Sequence, residues 1–255
     1  MNIEHKKTTL GDDSVLYQKR DDSLGKKDIS SLSTVEKLGY FKDYYLKIVI
    51  AAVIVLIFAG HLIYSTTIGR STTLASIGCI DESYLYNLNE LSDALKEYLG
   101  SERKRDFVTV SNYTLDNYQE NMAFVTHLTT GNLDLIICPE EYFNQGCKVG
   151  YFADLSQYLP EEMYTALEDR ILEGSYAITD EEGEVLSYED PLPHGISLKG
   201  TSRYTEFGGA LEDSILCIAT TSKNTENTLK VLSWFTDVPI PEATLNAFAE
   251  AAQAK

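Results

Sequence analysis

Apolar and polar positions follow three regimes along this chain. An N-terminal stretch has no apolar period, one unbroken apolar run follows, and a long region then alternates short apolar runs with helix-period segments. Residues 1–32 mix charges with Ser, Thr and Gly. Such a composition buries too little surface to offset backbone entropy and predicts a disordered tail. At residues 33–36 the run S-T-V-E matches a capping box, with Ser33 as the cap and Glu36 reaching back, so a helix is expected to start there and continue into the apolar run. That run, IVIAAVIVLIFAGHLIY from Ile48 to Tyr64, holds 17 residues interrupted only by Gly60 and His61. At about 1.5 Å per residue it makes about 26 Å of helix, close to the roughly 30 Å hydrocarbon core of a bilayer. Residues 33–65 therefore read as a juxtamembrane and transmembrane helix.

Past a Ser/Thr-rich linker at 66–73, the pattern predicts strands at 74–80, 107–113 and 133–138 separated by helices at 87–99 and 118–130, each helix ended by a glycine, Gly100 and Gly131. Strand, helix, strand, helix, strand is the order of a parallel sheet with right-handed crossovers. The reading continues with a short helix at 140–145, a helix at 161–172, a hairpin of 176–179 with 185–188 around the acidic turn D-E-E-G-E, a strand at 215–220 and a helix at 225–235. Residues 238–255 are Ala-rich and read as either a helix or a frayed tail. The expected class is α/β, a single lobe over 74–237 with a mostly parallel sheet and flanking helices, preceded by one transmembrane helix.

Charge sets an orientation. Residues 1–47 carry nine Lys/Arg against eight Asp/Glu, while the remainder carries 12 against 31. Lys37, Lys42 and Lys47 crowd the near end of the span and only Arg70 closely follows it. The positive-inside rule then expects a cytoplasmic N-terminus and an extracytoplasmic C-terminal domain, a single-pass type II arrangement at the cell membrane. Tyr40, Phe41, Tyr44 and Tyr45, interleaved with Lys42 and Lys47, suit the headgroup layer. His61, near the outer end, is expected to reach interfacial water rather than to sense protons inside the membrane. The polar residues before the span distinguish it from a cleavable signal peptide. An acidic domain argues against nucleic acid as a partner, because phosphates need a basic surface.

Two stretches carry a resemblance. Residues 129–160, TTGNLDLIICPEEYFNQGCKVGYFADLSQYLP, and 219–235, ATTSKNTENTLKVLSWF, resemble the bacterial extracellular solute-binding proteins of ABC importers, in particular small membrane-anchored relatives of Gram-positive bacteria. GYFKDYYLKIVI at 39–50 resembles the juxtamembrane helix of such anchored proteins. The resemblance implies one lobe of a solute-binding fold, with Gly131 stopping a helix, Asp134 at the start of a strand and Leu155 packed back on the sheet. A complete member grips its ligand between two lobes. Here only about 37 residues, 178–214, separate the first-lobe material from the returning strand, room for a hairpin but not a second lobe.

Candidate chemistry is sparse. No G-x-S-x-G, zinc spacing or glycine-rich phosphate loop is present, and the S-x-x-K at Ser101 lies in a charged loop. No cofactor, metal site or catalytic residue is assigned, and the chain reads as a non-enzyme. Cys79, Cys138 and Cys217 lie in or beside apolar runs, as small buried hydrophobes do; a Cys138–Cys147 disulfide stays open. Trp234 reads as core. Among 17 tyrosines, Tyr84 and Tyr86 follow the first strand, where ligands approach open α/β sheets. Tyr84, Tyr86, Glu140 and Tyr142 are the candidate ligand-binding residues. The expected function is a membrane-anchored binding or sensing module for a small-molecule solute or a surface partner. The alternative is a non-catalytic scaffold with a decayed site, docking another envelope protein.

Overall fold

The computed structural model describes residues 33–67, 71–180 and 182–253, and the chain divides into two compact units at residues 68/69. The predicted disordered tail, 1–32, lies outside the described residues, as does part of the linker.

In the first unit, α1 (Thr34–Tyr40) begins with the Lys37 N–H donating to the Ser33 carbonyl at 2.9 Å. The Glu36 side chain lies outside the described residues. Phe41–Tyr45 wind as one π-helical stretch, which leads directly into α2 (Leu46–Thr67). Phe41 and Tyr45 stack at 6.2 Å between ring centroids, while the side chains of Tyr40 and Tyr44 lie outside the described residues. The segment Leu46–Thr66 is 21 residues, long and apolar enough to cross a membrane, and its apolar surface is unburied.

The second unit is α/β. Its elements run β1 (Thr73–Ile80), α3 (Leu88–Tyr98), β2 (Phe107–Tyr113), α4 (Tyr118–Thr130), β3 (Leu135–Cys138), α5 (Glu140–Lys148), α6 (Leu155–Tyr158), α7 (Glu161–Ala166) and β4 (Ile171–Gly174). They continue with β5 (Ala177–Thr179), β6 (Val185–Tyr188), β7 (Leu192–Ser197), α8 (Ser202–Glu206), β8 (Ile215–Ile218), α9 (Thr225–Thr236) and α10 (Glu242–Gln253). Six strands form one sheet in the order β2-β1-β3-β8-β7-β4, and β5 pairs with β6 alone.

Alternate residues of the central strands feed two core layers. Leu135 and Ile137 of β3, with Leu216 and Ile218 of β8, face a layer holding Leu91 and Leu95 of α3 and Leu232 and Phe235 of α9. Ile136 and Cys138, with Ile215 and Cys217, face the opposite layer with Phe124 and Leu128 of α4 and Phe143 of α5. Strands buried on both faces need apolar residues at every position, which is why these read as continuous runs. All four cysteines are free and buried. No Cys138–Cys147 disulfide forms, and burial, with the neighbouring Cys138, pushes the Cys147 thiol up to about 12.

The sheet is mixed, which corrects the mostly parallel expectation. β1 runs parallel to β2 and β3, but β8, β7 and β4 are joined by antiparallel pairs. Two local features account for the difference. The helix expected over 161–172 ends at Ala166, and Ile171 and Leu172 instead pair with Ile196 and Gly195 of β7. Arg170 secures that change of course, its guanidinium donating to the Ser197 carbonyl at 3.0 and 3.2 Å and to the Thr236 carbonyl at 3.3 Å. The sequence of β7, LPHGIS, carries Pro and Gly, which mark breaks in a lone sequence. Here Pro193 sits opposite Glu173 beside a register shift. Gly195 is required because a Cβ there would lie 2.6 Å from Ile215 Cγ2 and 2.7 Å from the Phe143 ring.

The stretches that carry the resemblance are tied to each other. Gly131 ends α4 at φ 71°. Asp134, just before β3, accepts from the Ser76 N–H at 2.9 Å and from Ser222 Oγ at 2.7 Å. Lys223 Nζ donates to the Thr130 carbonyl at 3.2 Å, and the side-chain amides of Asn224 and Asn227 both donate to the Leu74 carbonyl. Leu155 and Trp234 are buried.

Candidate functional site

α3, which follows β1, and α5, which follows β3, pack on opposite faces of the sheet, so the neighbouring strands β1 and β3 border a topological switch point. Chains diverge at such a point and leave a crevice beyond the carboxyl ends of the strands. A cleft of about 530 Å³ occupies it. Asp81, Glu82 and Tyr84 come from the end of β1, Thr114, Leu115 and Asp116 from the end of β2, and Pro139, Glu141, Tyr142 and Gln145 from the end of β3 and α5.

Local chemistry fixes each wall. Asp81 occupies the left-handed region at φ 46°, a conformation Asp tolerates better than most side chains, and its Oδ1 accepts from the Leu115 N–H at 2.7 Å. One carboxylate thus joins the ends of β1 and β2. The β2 wall turns into α4 through an Asn117 cap, whose Oδ1 accepts from the Gln119 N–H at 3.0 Å, while Glu120 accepts from the Thr114 N–H at 2.7 Å. The β1 wall is held from beneath by a buried polar cluster. The Tyr204 hydroxyl donates to the Ser83 carbonyl at 3.0 Å and lies 2.9 Å from Ser214 Oγ, which is 2.8 Å from Ser83 Oγ. Burial pushes the Tyr204 phenol up to about 12, against the pull of its bond to Ser214. From the side, Ala210 N–H donates to the Tyr84 carbonyl, Tyr86 N–H to the Gly208 carbonyl, and Asn112 grips both backbone groups of Leu85. Gly209 permits this approach, since a Cβ there would lie 2.3 Å from the Tyr204 ring.

The four residues expected from sequence are placed unequally. Tyr84 and Tyr142 line the cleft. Tyr86 does not; it stands exposed beside Tyr84, with the two hydroxyls sharing a 2.7 Å hydrogen bond and the rings edge-on at 4.9 Å. Glu140 is exposed on the first turn of α5 and is not among the lining residues, whereas its neighbour Glu141 is. Asp81, Glu82, Asp116 and Glu141 line the cleft without belonging to any sequence motif. Their available signal was position, each falling within three residues of a strand end.

The cleft is electronegative. Its lining has four carboxylates and no Lys, Arg or His. Burial raises the Asp81 carboxyl above its ordinary range against the Leu115 hydrogen bond, and Glu82, Asp116 and Glu141 push it further up. Among the described residues no group of three or more His, Cys, Asp or Glu side chains is arranged to hold a metal ion. The four cleft carboxylates therefore do not converge as a metal-binding group. Leu115, Asp116, Tyr142 and Gln145 also line an adjoining cavity of about 410 Å³ that extends to Val149 and Tyr151.

Compared with protein-family models, curated proteins and solved structures, the chain matches none.

Proposed function

We propose that this protein is a membrane-anchored binding module that captures a small organic cation in the cleft beyond β1, β2 and β3. The observation that carries the reading is the lining itself, four carboxylates and the Tyr84 and Tyr142 side chains with no basic group. Carboxylates that do not converge suit an amine whose charge is spread over several ångströms, and tyrosine faces attract cations. The adjoining cavity favours an elongated amine over a compact one. In this reading α2 crosses the bilayer, the N-terminus is cytoplasmic and the α/β domain lies outside, an orientation supported by the lysines at 37, 42 and 47. The likeness of 129–160 and 219–235 to solute-binding proteins supports a single, non-catalytic lobe of that fold. A scaffold with a decayed site would have its tyrosines packed away; Tyr84 bordering an open cleft favours capture.

The test is calorimetric titration of the full chain in lipid nanodiscs with spermidine, with glucose and glutamate as controls. Saturable binding of spermidine alone, weakened about ten- to a hundredfold by Asp81→Asn, is expected, the scale of a lost charge-assisted hydrogen bond. Asn keeps the left-handed backbone and can still accept from Leu115. Binding of neutral or anionic solutes in preference to amines overturns the reading.

A further inference from the structure

The β5–β6 hairpin continues the chain outward from the β4–β7 pair, where the Glu189 N–H donates to the Tyr176 carbonyl at 2.9 Å. Asp180 Oδ1 accepts from the N–H groups of Glu182 at 3.0 Å and Glu184 at 2.8 Å, and Gly183 takes φ 85°. A two-stranded hairpin is marginal in water unless one face is covered. Here Ala177 is buried, but Ile178, Val185, Leu186 and Tyr188 are exposed, Leu186 by 67% and Tyr188 by 54%. Tyr176 carries this surface back to the domain, its ring 3.1 Å from where a Cβ on Gly150 would lie, next to exposed Val149. Ala177 pairs with Tyr188 and Ile178 with Ser187, so Tyr188 and Ile178 stand on opposite faces and this small ribbon shows large apolar side chains on both, as a segment that associates with a partner does.

Charge selects the occupant. From residue 171 to 193 the chain has seven carboxylates, with Asp180, Glu182 and Glu184 at the tip and Glu189 and Asp190 at the root, and no Lys, Arg or His. A second copy would bring like charges together, and an anionic lipid surface would be repelled. An apolar surface rimmed by Lys and Arg is complementary on both counts. We propose that the hairpin is a docking arm for a different protein whose contact surface is apolar and edged with basic residues. Leu186 and Tyr188 supply the desolvated centre and the carboxylates supply the steering rim. This goes beyond capture at the cleft, and Leu186, Tyr188 and the tip carboxylates line neither the cleft nor the cavity beside it.

The test places a photo-crosslinking phenylalanine analogue at Leu186 of the full chain, in the cells that make it, with Tyr118 on α4, also strongly exposed, as the control position. The expected result is one discrete protein adduct from position 186 and none from 118. Its crosslinked peptide, mapped by mass spectrometry, should be an apolar stretch flanked by Lys or Arg. Adding Glu182→Lys and Glu184→Lys should cut the adduct at least tenfold while the unfolding curve followed by Trp234 fluorescence stays unchanged. The proposal is overturned by no adduct, by an adduct with a second copy, with lipid or with a surface lacking basic residues, or by indifference to the charge reversal. None of these outcomes bears on amine binding, so the two readings fail separately.

Discussion

β1, β2 and β3 run parallel and are joined through α3 and α4, whereas β8, β7 and β4 are joined by antiparallel pairs, with the hairpin arm between β4 and β7 and α8 between β7 and β8. Both halves feed the same two core layers, yet the cleft opens at the carboxyl ends of the parallel strands. Parallel crossovers return every strand end to one side of the sheet, so the loops after β1, β2 and β3 converge. Antiparallel neighbours send successive loops to opposite ends, and the chain between β4 and β7 leaves as an arm. The difference separates a concave surface suited to a solute from a projecting surface suited to a protein.

The largest expected effect tests whether the halves share one core. Phe143 of α5 stacks on Phe152 at 5.9 Å and packs against Gly195 of β7. Phe143→Ala should cost about 3–5 kcal/mol in urea unfolding followed by Trp234 fluorescence. An unchanged midpoint would mean that the antiparallel half is packed independently of α5. Next is Tyr204→Phe, which deprives the Ser83 carbonyl and Ser214 of a buried partner at an expected cost of about 1–3 kcal/mol. It should also weaken amine binding, because the β1 wall of the cleft rests on that cluster; loss of stability with intact binding would separate the wall from the site.

Smaller effects distinguish the two surfaces. Glu141→Gln, on an exposed turn, should leave stability within about 0.5 kcal/mol of the parent while lowering spermidine affinity in titration. Leu186→Ser should likewise spare stability and leave spermidine affinity untouched. Asp81 gives a pH signature. Its carboxyl is held above the unfolded value of about 4, so it favours the folded state while protonated; that contribution is fully present below the unfolded pKa and is lost as pH rises to the folded one. Amine binding needs the ionised form and runs the other way. Affinity should hold near neutral pH and fall as pH drops into the raised range of Asp81, a dependence that Asp81→Asn should flatten.

The same two halves differ in how far their sequence could be read. β1, β2 and α4 announce themselves through apolar runs, helical spacing and Gly131, all determined by neighbours close in sequence. β4 and β7 do not. Ile171 and Leu172 follow a helical pattern and become a strand only because β7 pairs with them; Pro193 looks like a breaker until it falls beside a register shift, and Gly195 until Phe143 and Ile215 need the space. In the site, Tyr84 and Tyr142 were accessible from the placement of strand ends. Asp81, Glu82, Asp116 and Glu141 were not, because among 39 acidic residues each looks like ordinary solvated surface until topology brings four together. Glu140 and Glu141 are adjacent in sequence, and only the rotation of α5 decides which of them lines the cleft.

Trp234 is the chain's single tryptophan and is buried in the α/β domain, so its fluorescence reports unfolding of that domain in the intact chain. The most direct test of the central claim is a Trp234-monitored melt of the full chain in nanodiscs with spermidine at a hundred times its dissociation constant. Ligand at that excess adds about 2.7 kcal/mol, and a domain of this size should then melt about 5–10 °C higher. A rise of that size, absent with glucose and glutamate and reduced in Asp81→Asn, is the expected result; an unmoved transition across a series of linear and quaternary amines would contradict the assignment of the cleft as a cation-binding site.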